Sequence, residues 1–143
     1  MKYNIRLFNF ELDWEWVNKE LPIFQVEDTS GMVVMRGNES VGAMIMDNWT
    51  NNSVQAHFIV KDPMLLRTEF LAVCFDYVFN IKGRKVIYAL VPADNEKAIK
   101  LNIHFGATEK CRFEEAYADG VDYIVMELKK ENCKYLHKIS EAA

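Results

Sequence analysis

Apolar and polar positions alternate along several short runs of this chain and recur at helical spacing along three longer ones. Tyr3 to Phe10 reads as a strand. Glu11 to Glu20 reads as a short helix with Leu12, Trp16 and Val17 on one side, closed by Pro22. Met32 to Arg36 and Val41 to Asp47 are β-rich runs joined by Gly37-Asn38-Glu39-Ser40, which predicts a hairpin. A second hairpin follows through the Asn-rich segment from Asn48 to Ser53. In its outgoing strand, Val54 to Val60, the residues Val54, Ala56, Phe58 and Val60 alternate with Gln55, His57 and Ile59.

Lys61-Asp62-Pro63 breaks that strand. The segment from Leu65 to Ile81 is too long and too free of breakers for another strand, so the pattern predicts one largely buried helix. Its stripe consists of Phe70, Leu71, Cys74, Phe75, Val78 and Ile81, widened by Val73, Tyr77 and Phe79. Val86 to Val91 is almost wholly apolar, which suits a central strand covered on both faces and paired in parallel through the crossover helix. A third helix is expected from Glu96 to Phe105, opened by Asp94-Asn95 and stopped by Gly106. Strands from Thr108 to Tyr117 and from Val121 to Leu128 then form a hairpin around Asp119-Gly120.

With 143 residues, half of them apolar, the chain has the length of one domain and can bury a core unaided. Residues 1–136 are expected to form that domain and 137–143 a loose C-terminal tail. Seventeen Lys and Arg against 21 Asp and Glu leave a net charge of -4, with no basic footprint for a nucleic acid partner. No apolar run approaches the roughly 20 residues of a membrane span, and the first residues lack a signal-peptide core, so a cytoplasmic location is expected. Cys74, Cys111 and Cys133 show no CxxC pair and no metal-ligand spacing with His, so reduced thiols and no metal site are expected.

The element order resembles the GNAT superfamily of acyl-CoA N-acetyltransferases, and the resemblance is sharpest from Lys85 to Leu128. There, Asn95-Glu96-Lys97-Ala98-Ile99-Lys100-Leu101-Asn102-Ile103-His104-Phe105-Gly106 matches the Asn, Ala, Leu and Gly of that family's N-x-x-A-x-x-L-Y-x-x-x-G-F pattern. The stretch from Glu114 to Leu128 is similar to the family's last hairpin. The segment from Glu131 to Leu136 adds a likeness to small acetyltransferase-like proteins of bacteriophages. The resemblance implies an α+β sandwich of GNAT type: a mostly antiparallel twisted sheet with one parallel βαβ unit and helices on both faces. It implies acetyl-CoA as co-substrate, an amine of a small molecule or protein as acceptor, and possible homodimers. A catalytically degenerate binding or virion-associated protein on the same fold is the alternative.

Acetyl transfer requires a thioester held against a neutral amine, a route for the amine proton and an acid for the departing thiolate. The resemblance implies that the strand Val54 to Val60 splays from Val86 to Val91 and that the donor threads the opening along the backbone of Phe58, Ile59 and Val60. The family cradles the donor's pyrophosphate with a glycine-rich loop. Lys61-Asp62-Pro63-Met64-Leu65-Leu66-Arg67 contains no glycine, Pro63 donates no N–H and Asp62 is an unwelcome neighbour for a phosphate, leaving Arg67 and Lys61 to supply charge and the helix its dipole. Asn95 either contacts the donor or caps its helix. The family's acidic Tyr is replaced by Asn102, whose amide can hydrogen-bond to a thiolate but cannot protonate it. His57 is either the proton acceptor, directly or through water, or an outward strand residue without a role.

Overall fold

Alternating side chains pair the β-rich runs into one sheet. The computed structural model describes residues 2–136, and the expected tail, 137–143, lies outside the described residues. The strands are β1 (Tyr3–Leu7), β2 (Ser30–Arg36), β3 (Glu39–Asp47), β4 (Ser53–Val60), β5 (Val86–Pro92), β6 (Thr108–Ala118) and β7 (Val121–Lys129). The helices are α1 (Phe10–Glu20), α2 (Phe70–Asp76) and α3 (Glu96–Phe105). The sheet order is β1-β2-β3-β4-β5-β7-β6, and β4 with β5 is the parallel pair among antiparallel neighbours. Each strand anticipated from the pattern is present, as are the first and third helices, with ends moved by a few residues. No helix among the described residues is long and apolar enough to cross a membrane.

One face of the sheet carries the main core. Met44, Met46, Val54, Ile87, Ala89, Val91, Ile124 and Met126 meet Phe70, Phe75, Phe79 and Phe105 from the helical side. On the opposite face a smaller cluster of Val17, Val33, Ala43, Ile45 and Ile59 lies under α1. Because α1 covers only β2 to β4, β5 is buried on one face rather than on both. Ile87, Ala89 and Val91 are buried, whereas Tyr88 and Leu90 are half-buried.

Two helices depart from the expectation. In α1 the buried residues are Val17 and Asp13, with Leu12 left 73% exposed. Arg6 of β1 draws Asp13 inward through two 2.7 Å hydrogen bonds, which turns the helix away from its purely apolar stripe. The long segment after Pro63 is not one helix. A 3-10 turn at Pro63–Arg67 ends at Thr68, whose hydroxyl donates to the Leu65 carbonyl at 2.8 Å and accepts the Phe70 N–H at 3.2 Å. That local bonding competes with helix continuation. After α2, Tyr77–Ile81 forms a π-turn, with the Lys82 N–H on the Tyr77 carbonyl. The wider turn carries the consecutive residues Val78 and Phe79 both into the core.

Gly106 caps α3 at φ 112°, where a side chain is strained, and a Cβ there would run into the Asn132 carbonyl oxygen. Gly106→Ala is expected to cost about 2 kcal/mol of stability, read from urea unfolding. An unchanged midpoint would show that the turn at Lys130–Asn132 is not held against this cap.

Candidate functional site

β4 and β5 pair only at Ser53 with Val86, Val54 with Ile87 and Gln55 with Tyr88. Beyond those pairs the strands diverge, so from Ala56 onward the edge of β4 facing β5 has no sheet partner for its backbone groups. The opening is a cleft of about 240 Å³ whose lining includes His57, Phe58, Leu90, Asn95, Asn102, Tyr117 and Tyr123. The cleft is not plugged. Phe58 directs its ring into the core, 4.9 Å from Phe105 and 6.1 Å from Phe75, and Met64 is 52% exposed.

His57 projects from β4 on the face opposite the main core, the face it shares with Ile59. Its Nε2 stands 3.1 and 3.2 Å from the two carboxylate oxygens of Asp47, the last residue of β3. Asp47 is 7% exposed and the His57 side chain 16%, so the pair is shielded from competing water. An ionised carboxylate only accepts, so Nε2 carries the hydrogen and the neutral ring presents Nδ1 as its basic nitrogen. Among the described residues Nδ1 has no hydrogen-bond partner. Burial, and next the charge of Asp47, push the neighbouring Tyr88 phenol up.

The other expected site residues are distributed as follows. Asn95 caps α3, accepting the Ala98 N–H at 3.1 Å, and also lines the cleft. Asn102 lines it too, with its amide Nδ2 spent on the Ala98 carbonyl at 2.9 Å. Phe58, Ile59 and Val60 run along a second groove that shares Glu20, Phe58, Asn95, Ala98 and Leu101 with the cleft. Arg67 lines neither and, among the described residues, makes no side-chain hydrogen bond or ion pair.

The loop after β4 differs from a phosphate cradle. Asp62 Oδ1 accepts the Met64 N–H at 3.0 Å, while Oδ2 accepts from the Tyr3 hydroxyl at 2.6 Å and from Arg36 at 2.7 Å. The Leu65 N–H goes to the Asp62 carbonyl. The Tyr3 hydroxyl first, then the Met64 N–H and Arg36, hold the Asp62 carboxyl below the usual carboxylate range. The chain's own carboxylate thus occupies the place at the turn's N-terminus where an anion would bind.

Sequence reasoning left out Asp47, Tyr117 and Tyr123. A charged residue closing the apolar run Gly42 to Met46 was the available signal for Asp47. Nothing local signalled the two tyrosines, whose rings meet at 5.4 Å only because β6 and β7 pair. Burial first, then Tyr117, raises the Tyr123 phenol. Among the described residues no group of three or more His, Cys, Asp or Glu is placed to hold a metal. Cys74 and Cys133 are buried and Cys111 is exposed, all three as free thiols.

One splayed parallel pair in an otherwise antiparallel seven-stranded sheet, with helices on both faces, is the GNAT α/β fold. Solved structures that share it include the spermidine/spermine N-acetyltransferase SpeG from Vibrio cholerae. It is 16% identical with a TM-score of 0.74, over 95% of this chain and 96% of that one. A point mutant of the same enzyme is 18% identical with a TM-score of 0.74, over 95% and 97%. A protein assigned to the GNAT family of acetyltransferases from Desulfovibrio desulfuricans is 11% identical with a TM-score of 0.67, over 90% and 99%. At such identities the likeness shows the fold. These structures are bacterial and lend the likeness to bacteriophage proteins no support. The sequence matches no protein-family profile and no curated protein.

Proposed function

We propose that the chain transfers an acyl group, acetyl in the first instance, from a coenzyme A thioester to a primary amine. The observation that carries this reading is the Asp47-braced His57 in the cleft where β4 and β5 part. The thioester supplies an electrophilic carbonyl and a thiolate leaving group. His57 Nδ1 takes the proton that the amine must lose, and the unpaired edge of β4 from Ala56 onward offers backbone groups to the donor's amide-bearing arm. Tyr117 and Tyr123 line the cleft, and the Tyr123 phenol, raised by burial, keeps its proton at neutral pH and supplies the acid that Asn102 does not. Spermidine heads the acceptor candidates because the SpeG structures carry that substrate in their name.

The test is thiol release from acetyl-CoA with a panel of primary amines including spermidine, alongside calorimetric titration of acetyl-CoA alone. Amine-dependent thiol release, with saturable binding, is expected. No heat of binding at millimolar acetyl-CoA would overturn the reading in favour of a non-catalytic binding domain on the same fold. Asp62 in the anion position is the observation that favours that second reading.

A further inference from the structure

The groove that leaves the cleft along β4 does not end at the capped loop. Its lining shares Val60, Lys97 and Leu101 with a third depression of about 300 Å³, walled by Pro63 and Leu66 on one side and by Lys97, Lys100 and His104 of α3 on the other. The three hollows therefore form one track. It starts at His57, follows β4 for about 10 Å to Val60, the length of three strand residues, and opens between the Pro63–Arg67 turn and α3. Lys97, Lys100 and His104 fall at i, i+3 and i+7, so they share one helix face. Among the described residues neither lysine has an ion-pair partner within 4.0 Å, and no carboxylate lines this mouth. His104 has its Nε2 bonded to the Tyr135 hydroxyl at 2.6 Å and forms the far wall.

We propose that the phosphates of the thioester donor are held by the ammonium groups of Lys97 and Lys100 at this mouth, and not by the backbone amides of the loop after β4. The proposal rests on the acyl-transfer reading above and departs from the loop-held phosphate that the fold would imply. Two observations carry it. Asp62 has taken the first free N–H of the turn and places a carboxylate beside it, so a second anion there would meet a filled site and a like charge. The track that begins at the reactive cleft delivers its far end to two unpaired cations instead. Lysine binds phosphate as a mobile point charge and needs no glycine for close approach, which accounts for a donor site without a glycine-rich loop.

The experiment compares acetyl-CoA with acetyl-pantetheine, which has the same thioester arm but no phosphates, on the wild-type chain, on the double variant Lys97→Gln/Lys100→Gln and on Arg67→Gln. Circular dichroism confirms that each is folded. Calorimetry is expected to show acetyl-CoA affinity falling tenfold or more in the double variant and less than twofold in Arg67→Gln. The wild-type affinity should weaken with added NaCl, and the double variant's much less. Ligand-observed NMR is expected to show acetyl-pantetheine binding the wild type and the double variant alike. Unchanged acetyl-CoA affinity in the double variant, or a tenfold loss in Arg67→Gln, would overturn the lysine site. Failure of both thioesters to bind the wild-type chain would instead overturn the acyl-transfer reading itself.

Discussion

His57→Gln is expected to lower kcat/KM for amine acetylation by about 100-fold or more, with the protein still folded. General base catalysis by a positioned side chain contributes about 10² to 10⁴. Glutamine retains a polar group of similar reach in the cleft but offers no basic nitrogen. Asp47→Asn should give a smaller loss, about tenfold. An amide can present either a donor or an acceptor to Nε2, so the ring nitrogen that carries the proton is no longer specified. The loss should therefore appear in kcat, with the KM for the amine little changed. The rates would be followed as thiol release over a range of amine concentrations. A rate in Asp47→Asn equal to wild type would leave Asp47 without a role at the histidine, and an unchanged rate in His57→Gln would remove His57 from the chemistry.

The largest stability effect is expected at Asp13. Its carboxylate is 2% exposed and accepts both 2.7 Å hydrogen bonds from Arg6 together with the Asn9 N–H at 2.8 Å. These contacts tie β1 to the first turn of α1. Asp13→Ala leaves the Arg6 guanidinium and the Asn9 N–H without their acceptor, and breaking such a pair costs about 3 kcal/mol. The pH dependence has a definite sign. Burial alone would raise the Asp13 carboxyl, but the hydrogen bonds from Arg6 and Asn9 and the Arg6 charge outweigh it, so the carboxyl lies below its ordinary value. Its contribution is complete above the unfolded value of about 4 and is lost as pH falls through the lowered folded value. Urea unfolding should thus separate wild type from Asp13→Ala widely at pH 7 and much less at pH 3. A gap of the same size at both pH values would mean that the pair is not the cause.

Periodicity, turns and breakers determined the strands, the third helix and the βαβ order, because alternation and helical recurrence are local properties of hydrophobic burial. The Asn95 to Gly106 spacing also declared a cap and a stop, since both act within a few residues of their own positions. What stayed illegible depended on partners distant in the chain. The pattern counted Leu12 toward the buried side of α1, and Arg6 reassigned that side to Asp13. Thr68 and the π-turn divided a segment whose apolar stripe read as continuous. The site shows the same division. His57 and Asn95 stood out in the sequence and both line the cleft, but nothing near His57 in sequence revealed Asp47, ten residues away across a hairpin. Asp62 looked like a hindrance to phosphate, yet only the approach of Tyr3 and Arg36, from strands laid down much earlier, showed that it fills the anion position itself. The sequence by itself determined which elements form and in what order. The tertiary structure alone decided where β4 and β5 part, which carboxylate braces the histidine and where free positive charge remains, because those follow from long-range packing that no local window contains.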